Sequence, residues 1–224
     1  MTEANSAFCA KCDAMLLTLA SEPACEACAA PLPAGGACAR CGGDGFHPFG
    51  RIVALAAFRD PLRTIVHEMK YHHRWPVAEI LADRMLAQER VRNLLDETDL
   101  LVPIPLHWSR QIQRGYNQSD SLARRLASHR RQLRVVRAIV RLKNTPAQTT
   151  VHSRADRDAN LRFAFGLVTP KPIQGARVTL VDDVMTTGST LKAAARVIAE
   201  GSPCEINAIV LSVADPRRSD FQTI

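Results

Sequence analysis

Long apolar segments are missing from this sequence. No run of 18 consecutive apolar residues occurs in its 224 residues, so no transmembrane helix is predicted. The amino terminus also lacks a basic stretch followed by an apolar run, the pattern of a secretory signal. The sequence therefore predicts a cytoplasmic protein without membrane insertion.

Aromatic residues are scarce, at 5% of the chain. This scarcity argues against an extended stacking platform of the kind that binds single-stranded nucleic acids.

Cysteine is almost absent beyond residue 41, where Cys204 stands alone among the seven cysteines. In a chain without a predicted secretion signal, paired thiols indicate metal binding or redox chemistry rather than a disulfide framework.

Negative charge is scarce in the middle of the chain. Residues 110–162 contain 13 Lys and Arg against 3 Asp and Glu, a local charge of +10, whereas the whole chain carries +7 and the remainder therefore −3. Such a block is typical of a solvated face, of an electrostatic funnel for a small polyanion, or of a nucleic-acid surface. Composition alone leaves these three interpretations open.

The most informative stretch is VTLVDDVMTTGST, residues 178–190. Residues 178–181 have the composition of a buried strand, and residues 191–200 that of a helix. Asp182 and Asp183 follow the strand. The segment that leads into the helix is rich in hydroxyl groups and contains one glycine: Thr186, Thr187, Gly188, Ser189 and Thr190.

This arrangement suits a ligand with both a phosphate and hydroxyl groups. A loop that opens a helix presents backbone N–H groups, and glycine lets that backbone approach an anion closely. Two adjacent carboxylates would repel a phosphate, so we expect them to accept hydrogen bonds from hydroxyls or to face a metal ion. A Walker B strand or an Asp-x-Asp phosphatase site fits less well, because the chain has no G-x-x-x-x-G-K-[ST] loop and its acids are adjacent. The implied ligand is a ribose 5-phosphate.

Residues 178–190 resemble the 5-phosphoribosyl-1-pyrophosphate (PRPP) loop of type I phosphoribosyltransferases. The resemblance implies that Asp182 and Asp183 hold the ribose hydroxyls, and that residues 186–190 hold the 5-phosphate. It also implies that Mg²⁺ accompanies the diphosphate of PRPP.

Residues 1–48 are rich in cysteine, glycine and proline and have little capacity for a hydrophobic core. A bound metal is expected to stabilise such a module. Its cysteines form three Cys-x-x-Cys pairs: Cys9 and Cys12, Cys25 and Cys28, and Cys38 and Cys41. Two such pairs brought together make a tetrahedral thiolate site suited to Zn²⁺.

The spacers between the pairs indicate which two of them combine. Residues 29–37 form a turn-rich loop that can fold back, whereas residues 13–20 are predicted to form a helix that leads away from Cys12. Gly42 and Gly43 follow Cys41 and suit the turn of a metal-binding knuckle. We therefore predict a structural Zn²⁺ site at Cys25, Cys28, Cys38 and Cys41. Cys9 and Cys12 remain an orphan or auxiliary pair, for which a redox role stays open.

Beyond residue 48, apolar strands alternate with helical patterns. Strands are predicted over residues 51–58, 100–107 and 206–213, and helices from residue 60, over 76–95 and over 119–130. This alternation predicts an α/β fold with a doubly wound parallel sheet that binds its ligand at the carboxyl ends of the strands. The basic segment between residues 108 and 118 is predicted to be a loop that closes over a diphosphate, an ordinary basic loop being the alternative. The cluster at residues 70–74 is predicted to be a helix-end surface.

Motifs along most of the chain resemble the competence protein F (ComF) family. These motifs are Val102-Pro-Ile-Pro-Leu-His107, Arg114-Gly-Tyr-Asn-Gln118, Arg141-x-Lys143, Arg157-x-x-Asn160 and Phe163-x-Phe165. The family comprises cytoplasmic bacterial proteins linked to DNA uptake, in which a zinc ribbon precedes a type I phosphoribosyltransferase-like domain. Many members carry four Cys-x-x-Cys pairs, so this chain departs from the pattern in having three.

The resemblance implies two domains, a zinc-ribbon module over residues 1–48 and a phosphoribosyltransferase-like domain over 49–224. It also implies a hood over residues 143–160 that covers the site. The pyrophosphate loop would comprise Pro105, Arg110, Arg114, Gly115, Asn117 and Gln118.

The implied activity is Mg²⁺-dependent transfer of the phosphoribosyl group of PRPP to an acceptor that the sequence does not identify. Two non-enzymatic functions stay open. One is the handling of single-stranded DNA together with the competence machinery, which the basic block favours. The other is the sensing of PRPP without its consumption.

Overall fold

The computed structural model describes residues 8–33, 36–71, 75–142 and 164–217. The helices in these ranges are α1 (Ala10–Ala20), α2 (Leu62–Tyr71), α3 (Trp75–Leu86), α4 (Glu89–Asp96), α5 (Trp108–Arg114), α6 (Gln118–Ala127) and α7 (Ser189–Ala199). The strands are β1 (Ile52–Ala57), β2 (Leu100–Pro103), β3 (Arg134–Val135), β4 (Ile139–Arg141), β5 (Phe165–Leu167), β6 (Arg177–Met185) and β7 (Glu205–Val213). None of these helices combines the length and the apolar character needed to cross a bilayer.

Five parallel strands form the central sheet, in the order β1-β7-β6-β2-β3. The connection from β6 leads through α7 to β7 on one side, and the connection from β2 leads through α5 and α6 to β3 on the other. The direction of winding therefore reverses between β2 and β6. In open parallel sheets, ligands bind at the carboxyl ends of the strands beside such a reversal. The predicted doubly wound α/β fold is confirmed.

Alternate positions of the strands point into two hydrophobic cores. In β1, Ile52 and Ala54 pack into one core, whereas Val53 and Leu55 pack into the other. The first core lies beneath α7 and the antiparallel pair of β4 and β5, and the second beneath α2, α3, α4 and α6. Because both faces are covered, the strands are nearly uninterrupted apolar runs.

The cysteine-rich segment contributes to both cores. Leu16 and Leu19 of α1 are buried in the second core, whereas Cys28, Phe46 and Phe49 are buried in the first. The segment between Leu19 and Cys28 runs beside β1, where the N–H of Ile52 donates to the carbonyl oxygen of Ala27 at 3.0 Å. The segment is therefore packed against the central sheet on both faces.

The outer edge of β1 is occupied by side chains from the junction of α3 and α4. The carbonyl oxygen of Leu55 accepts hydrogen bonds from Nε2 of Gln88 at 2.9 Å and from Nη2 of Arg90 at 3.1 Å. Gln88 has an extended backbone, with φ −85° and ψ 129°, and so interrupts the helix. The prediction of a single helix over residues 76–95 is therefore wrong.

Candidate functional site

The acidic pair lies inside β6 rather than after it. β7 continues to pair with β6 as far as Met185, with Asp182 opposite Val210 and Met185 opposite Val213. The predicted end of the strand at residue 181 is therefore four residues early. Because β6 and β2 are neighbours in parallel register, both carboxylates lie at the point where the winding of the sheet reverses.

The hydroxyl-rich loop joins β6 to α7. Gly188 is the N-cap residue of α7 and has φ +80°, a backbone conformation that favours glycine. A Cβ atom at this position would lie 2.6 Å from Cζ of Phe46. Thr187 Oγ1 accepts from the N–H of Ser189 at 3.3 Å and lies 2.9 Å from Ser189 Oγ. The loop therefore places hydroxyls around the amino terminus of an 11-residue helix, where an anion is stabilised.

Asp182 is held among donors. Its Oδ1 accepts from Ser119 Oγ at 3.3 Å and from the N–H of Asp183 at 2.9 Å. Burial, and then the negative charge of Asp183, raise the pKa of Asp182 to about 7. Asp182 is therefore expected to carry a proton for much of the time near neutral pH before a ligand binds.

Asp183 is paired with Lys70 at the end of α2. Lys70 Nζ lies 3.1 Å from Asp183 Oδ2, and the two side chains are only 10% and 15% exposed. Lys70 therefore belongs to the site, and its prediction as part of a helix-end surface is wrong. No spacing in the sequence signals this contact, because it joins residues more than a hundred positions apart.

Tyr116 fixes the position of the end of α2. Its hydroxyl donates to the carbonyl oxygen of Met69 at 2.5 Å, and burial raises the pKa of Tyr116 to about 12. The segment after β2 is thereby joined to the residue that precedes Lys70.

The segment predicted to form a pyrophosphate loop begins with a helix. His107 caps α5, its Nδ1 accepting from the N–H of Ser109 at 3.3 Å, and Gly115 ends it with φ +74°. The prediction of a loop is therefore wrong for residues 108–114.

Three other residues of the predicted pyrophosphate loop belong to the framework around the site: Asn117, Gln118 and Pro105. Asn117 caps α6 through the N–H of Ser119 at 3.0 Å, and its Nδ2 donates to the carbonyl oxygen of Ile104 at 3.0 Å. Gln118 is buried at the start of α6, and Pro105 is partly buried just after β2. Asn117 thus helps to position Ser119 beside Asp182.

Basic side chains also lie near the acidic pair. Arg141, on β4, is partly buried. Burial and the charge of nearby Arg110 lower its pKa, whereas Asp182 opposes that shift. The guanidinium of Arg141 lies 5.5 Å from the ring centroid of Phe165. Arg114, at the end of α5, is partly exposed. In the sequence Arg141 belongs to a family motif and has no assigned role, whereas the structure places it near Arg110 and Asp182.

The four cysteines predicted as metal ligands lie together. Their sulfur atoms all lie within 4.8 Å of one another, with Cys25 and Cys41 at 3.6 Å and Cys28 and Cys38 at 3.4 Å. All four are free thiols. Tetrahedral zinc with Zn–S bonds of about 2.3 Å requires sulfur atoms about 3.8 Å apart. The donor set therefore fits Zn²⁺.

Backbone donors favour the ionised form of one of these thiols. Burial raises the pKa of Cys38, but hydrogen bonds from the N–H groups of Cys41 and Arg40 outweigh that effect and lower it to about 7. Cys9 and Cys12 lie apart at the start of α1, where the N–H of Cys12 donates to Cys9 Sγ at 3.5 Å. Within the described ranges, no third cysteine, histidine or carboxylate joins them in a metal-binding group.

Comparison with known proteins identifies the family. Residues 75–221 match the family model described as phosphoribosyl transferase domain. DNA utilization protein YhgH of Salmonella typhimurium is 36% identical over 155 residues, and YhgH of Escherichia coli K12 is 33% identical over 154 residues. Competence protein F of Haemophilus influenzae is 30% identical over 152 residues. These alignments cover 66–67% of this chain and 66% of each relative, slightly less than two thirds of the relatives' length.

Solved structures of two phosphoribosyl-handling proteins are also similar. Glutamine PRPP amidotransferase from B. subtilis, complexed with ADP and GMP, superposes with a TM-score of 0.42 at 20% identity, over 64% of this chain and 30% of that one. Purine phosphoribosyltransferase from Pyrococcus horikoshii Ot3 gives 0.32 at 14% identity, over 67% and 73%.

The family model covers more than half of the chain, and the relatives found by sequence are named for DNA utilization or for competence. The chain belongs to the phosphoribosyl transferase domain family and, within it, to the competence protein F family.

Proposed function

We propose that this protein binds PRPP together with Mg²⁺ and transfers its phosphoribosyl group to an acceptor. The observation that carries the proposal is the position of Asp182 and Asp183 beside the loop of residues 186–190, where the winding of a parallel sheet reverses. An acidic pair and an anion-binding helix terminus lie next to each other there. A sugar with a 5-phosphate and vicinal hydroxyls can bind to both groups, its phosphate at the helix terminus and its hydroxyls at the acidic pair.

Each group has a distinct role in this proposal. Asp182 and Asp183 accept hydrogen bonds from the ribose hydroxyls, and residues 186–190 bind the 5-phosphate. Lys70 neutralises Asp183 and so reduces the repulsion between the carboxylate and an incoming phosphate. When bound, Mg²⁺ neutralises charge on the diphosphate.

In the reaction, the bond between the anomeric carbon and the diphosphate oxygen breaks, and pyrophosphate leaves with the electron pair. A bond from the acceptor to the same carbon forms. Positive charge develops on the sugar, so the protein contributes by positioning the reactants and by stabilising the departing anion. Arg110, Arg114 and Arg141 are the side chains that we assign to the pyrophosphate. The residues predicted as a hood over the site, 143–160, lie outside the described ranges.

The relatives are named for DNA utilization and for competence. We propose that the phosphoribosyl chemistry of this chain serves the same process.

Direct handling of single-stranded DNA is the second candidate. Trp108 and Ile112, on successive turns of α5 beside Arg110, are 67% and 75% exposed. An exposed indole next to basic groups can stack on a base. DNA binding of this kind should weaken steeply as the salt concentration rises and should weaken in Trp108→Ala. PRPP turnover that is unaffected by Trp108→Ala would instead favour the enzyme.

Calorimetric titration of PRPP into the zinc-loaded protein tests the main proposal. We expect binding that requires Mg²⁺ and that Asp182→Asn weakens at least about 30-fold, the equivalent of about 2 kcal/mol. Asp83→Asn is the matched control, because Asp83 forms an exposed ion pair with Arg125 away from the site. Binding that is absent in the wild type, or unchanged in Asp182→Asn, would overturn the proposal. Binding without release of pyrophosphate across a panel of nucleobases would favour sensing over transfer.

The raised pKa of Asp182 predicts a pH dependence. The ligand requires the ionised carboxylate, whereas the raised pKa of about 7 favours the protonated carboxyl in the free protein as the pH falls below that value. PRPP affinity should therefore fall by up to about tenfold per pH unit below 7 and level off above it. Titrations from pH 5.5 to 8.5 measure this slope. Because the phosphates of PRPP also titrate, the comparison is with Asp182→Asn, which should show a shallower slope; equal slopes would contradict the assignment.

A further inference from the structure

We infer that Arg40 is a positioning residue through which the four-cysteine site controls the shape of the 5-phosphate loop. The inference rests on the proposed function, because it concerns affinity for the phosphate of a ribose 5-phosphate. It assigns to the cysteine module a direct part in ligand binding.

Arg40 contacts both sites at once. It lies between Cys38 and Cys41, two of the four cysteines whose sulfur atoms lie together. Its side chain reaches the other domain: Nη1 donates to the carbonyl oxygen of Thr186 at 2.6 Å, and Nη2 to that of Ala214 at 2.5 Å. A single residue thus joins a predicted metal ligand to the first residue of the loop.

These two carbonyl groups belong to adjacent strand ends. Thr186 follows β6 and Ala214 follows β7, and the N–H of Ala214 donates to the carbonyl oxygen of Met185 at 2.9 Å. The guanidinium therefore bridges the ends of both strands. In a trans peptide the C=O and N–H groups point in opposite directions, so holding the Thr186 carbonyl also fixes the direction of the Thr187 N–H.

The far end of the loop contacts the same module independently. Phe46 is buried, and its ring lies against Gly188 so closely that a Cβ atom there would be 2.6 Å from Cζ. Lys192, in the first turn of α7, places Nζ 4.3 Å from the centroid of that ring. The cysteine module therefore contacts the loop where it begins, at Thr186, and again at Gly188, the N-cap of α7.

The chemistry at position 40 is specific to arginine. A planar guanidinium presents several N–H donors in a fixed fork, which allows one side chain to serve two carbonyl groups. A lysine ammonium is a compact point charge and reproduces this bridge poorly. Arg40→Lys should therefore retain the charge but lose much of the positioning.

The chain contains a matched control. Arg130 also donates to two backbone carbonyl groups, those of Asp96 and Thr98, and is partly buried. These two carbonyl groups lie near the amino end of β2, whereas the loop follows the carboxyl end of β6. Arg130→Met therefore removes the same type of interaction without touching either site.

The experiment measures the affinities of ribose 5-phosphate and of Mg²⁺-pyrophosphate by calorimetry, in zinc-loaded and chelator-treated full-length protein. We expect Arg40→Met to weaken ribose 5-phosphate binding about tenfold and Arg40→Lys to weaken it severalfold, with pyrophosphate affinity within about twofold of wild type. Chelation should weaken ribose 5-phosphate binding in the wild type and have little further effect in Arg40→Met. Arg130→Met should bind both ligands with the same affinities as the wild-type protein, in the zinc-loaded and in the chelator-treated state.

Amide hydrogen exchange provides a readout independent of ligand. In Arg40→Met, exchange should accelerate in the peptide that contains residues 186–190 and stay unchanged in α6. If the wild type binds ribose 5-phosphate and Arg40→Met binds it equally well, the inference fails and the proposed function stands. If Arg40→Met weakens both ligands equally, or Arg130→Met has the same effect, Arg40 contributes only to general stability and the inference also fails. If the zinc-loaded wild type does not bind ribose 5-phosphate, both fail.

Discussion

Replacing Gly188 by alanine is expected to weaken ribose 5-phosphate binding about 100-fold, the equivalent of about 2.8 kcal/mol. Two causes act together. The φ of +80° at this residue costs an L-residue about 1–2 kcal/mol, and the added methyl would lie 2.6 Å from Phe46. The loop must therefore move away from the phosphate-binding conformation. Calorimetry with ribose 5-phosphate and a thermal melt of each variant measure the two effects.

Gly175 separates backbone strain from the contact with Phe46. Its φ is +68°, yet nothing lies within 4 Å of the position that a Cβ atom would occupy, and it lies in the turn that precedes β6. Gly175→Ala should cost the strain alone, about 1–2 kcal/mol of stability, without loss of ligand affinity. Equal ligand affinities of Gly188→Ala and Gly175→Ala would contradict the prediction.

Phe46 provides the second half of a double-mutant cycle. Phe46→Ala removes the ring that the new methyl would meet, so the combination with Gly188→Ala should recover part of the lost affinity. The two changes should therefore be non-additive, as expected for side chains in contact. Strict additivity would show that the contact between the ring and the loop does not limit phosphate binding.

Replacing Cys28 by serine is expected to have the largest effect on stability. Cys28 is fully buried among the four sulfur atoms, and structural zinc supplies apparent folding free energy of about 10–16 kcal/mol in small zinc modules. Even a net loss of about 5 kcal/mol would lower the melting temperature by about 10–20 °C in a chain of this size. Metal analysis and a thermal scan of Cys28→Ser measure the two losses.

Cys204 and Cys9 supply the controls for that experiment. Both are exposed and lie outside the cluster, so Cys204→Ser and Cys9→Ser should retain the zinc and the melting temperature of the wild type. Loss of metal from Cys9→Ser would show that the first pair supplies ligands, and an unchanged metal content in Cys28→Ser would contradict the assignment of the site.

The sequence predicts the class of fold because its signals are local. The strand predicted over residues 178–181, the glycine before the helix and each single Cys-x-x-Cys pair are patterns of a dozen residues or fewer. The alternation of strands and helices is enough to predict a parallel, doubly wound sheet. The grouping of Cys25, Cys28, Cys38 and Cys41 follows in the same way, from the turn residues in one spacer and a helical pattern in the other.

Features that depend on distant contacts could not be predicted. The helix break at Gln88 coincides with a hydrogen bond from its side chain to Leu55, at the edge of the sheet. Lys70 enters the site only because α2 ends above β6. Arg40 contacts a loop 146 positions away. None of these residues has a local pattern that distinguishes it from an ordinary surface residue, and the predicted boundary between residues 48 and 49 remains a prediction.

The side chains along β1 also limit how copies of this protein can associate. β1 is the last strand on its side of the sheet, and an unprotected edge strand offers its backbone to strands of other molecules. Here the carbonyl oxygen of Leu55 accepts hydrogen bonds from the side chains of Gln88 and Arg90, and the N–H of Ile52 donates to the carbonyl oxygen of Ala27. A neighbouring molecule would have to displace these groups before it could extend the sheet, which protects the protein against edge-to-edge aggregation.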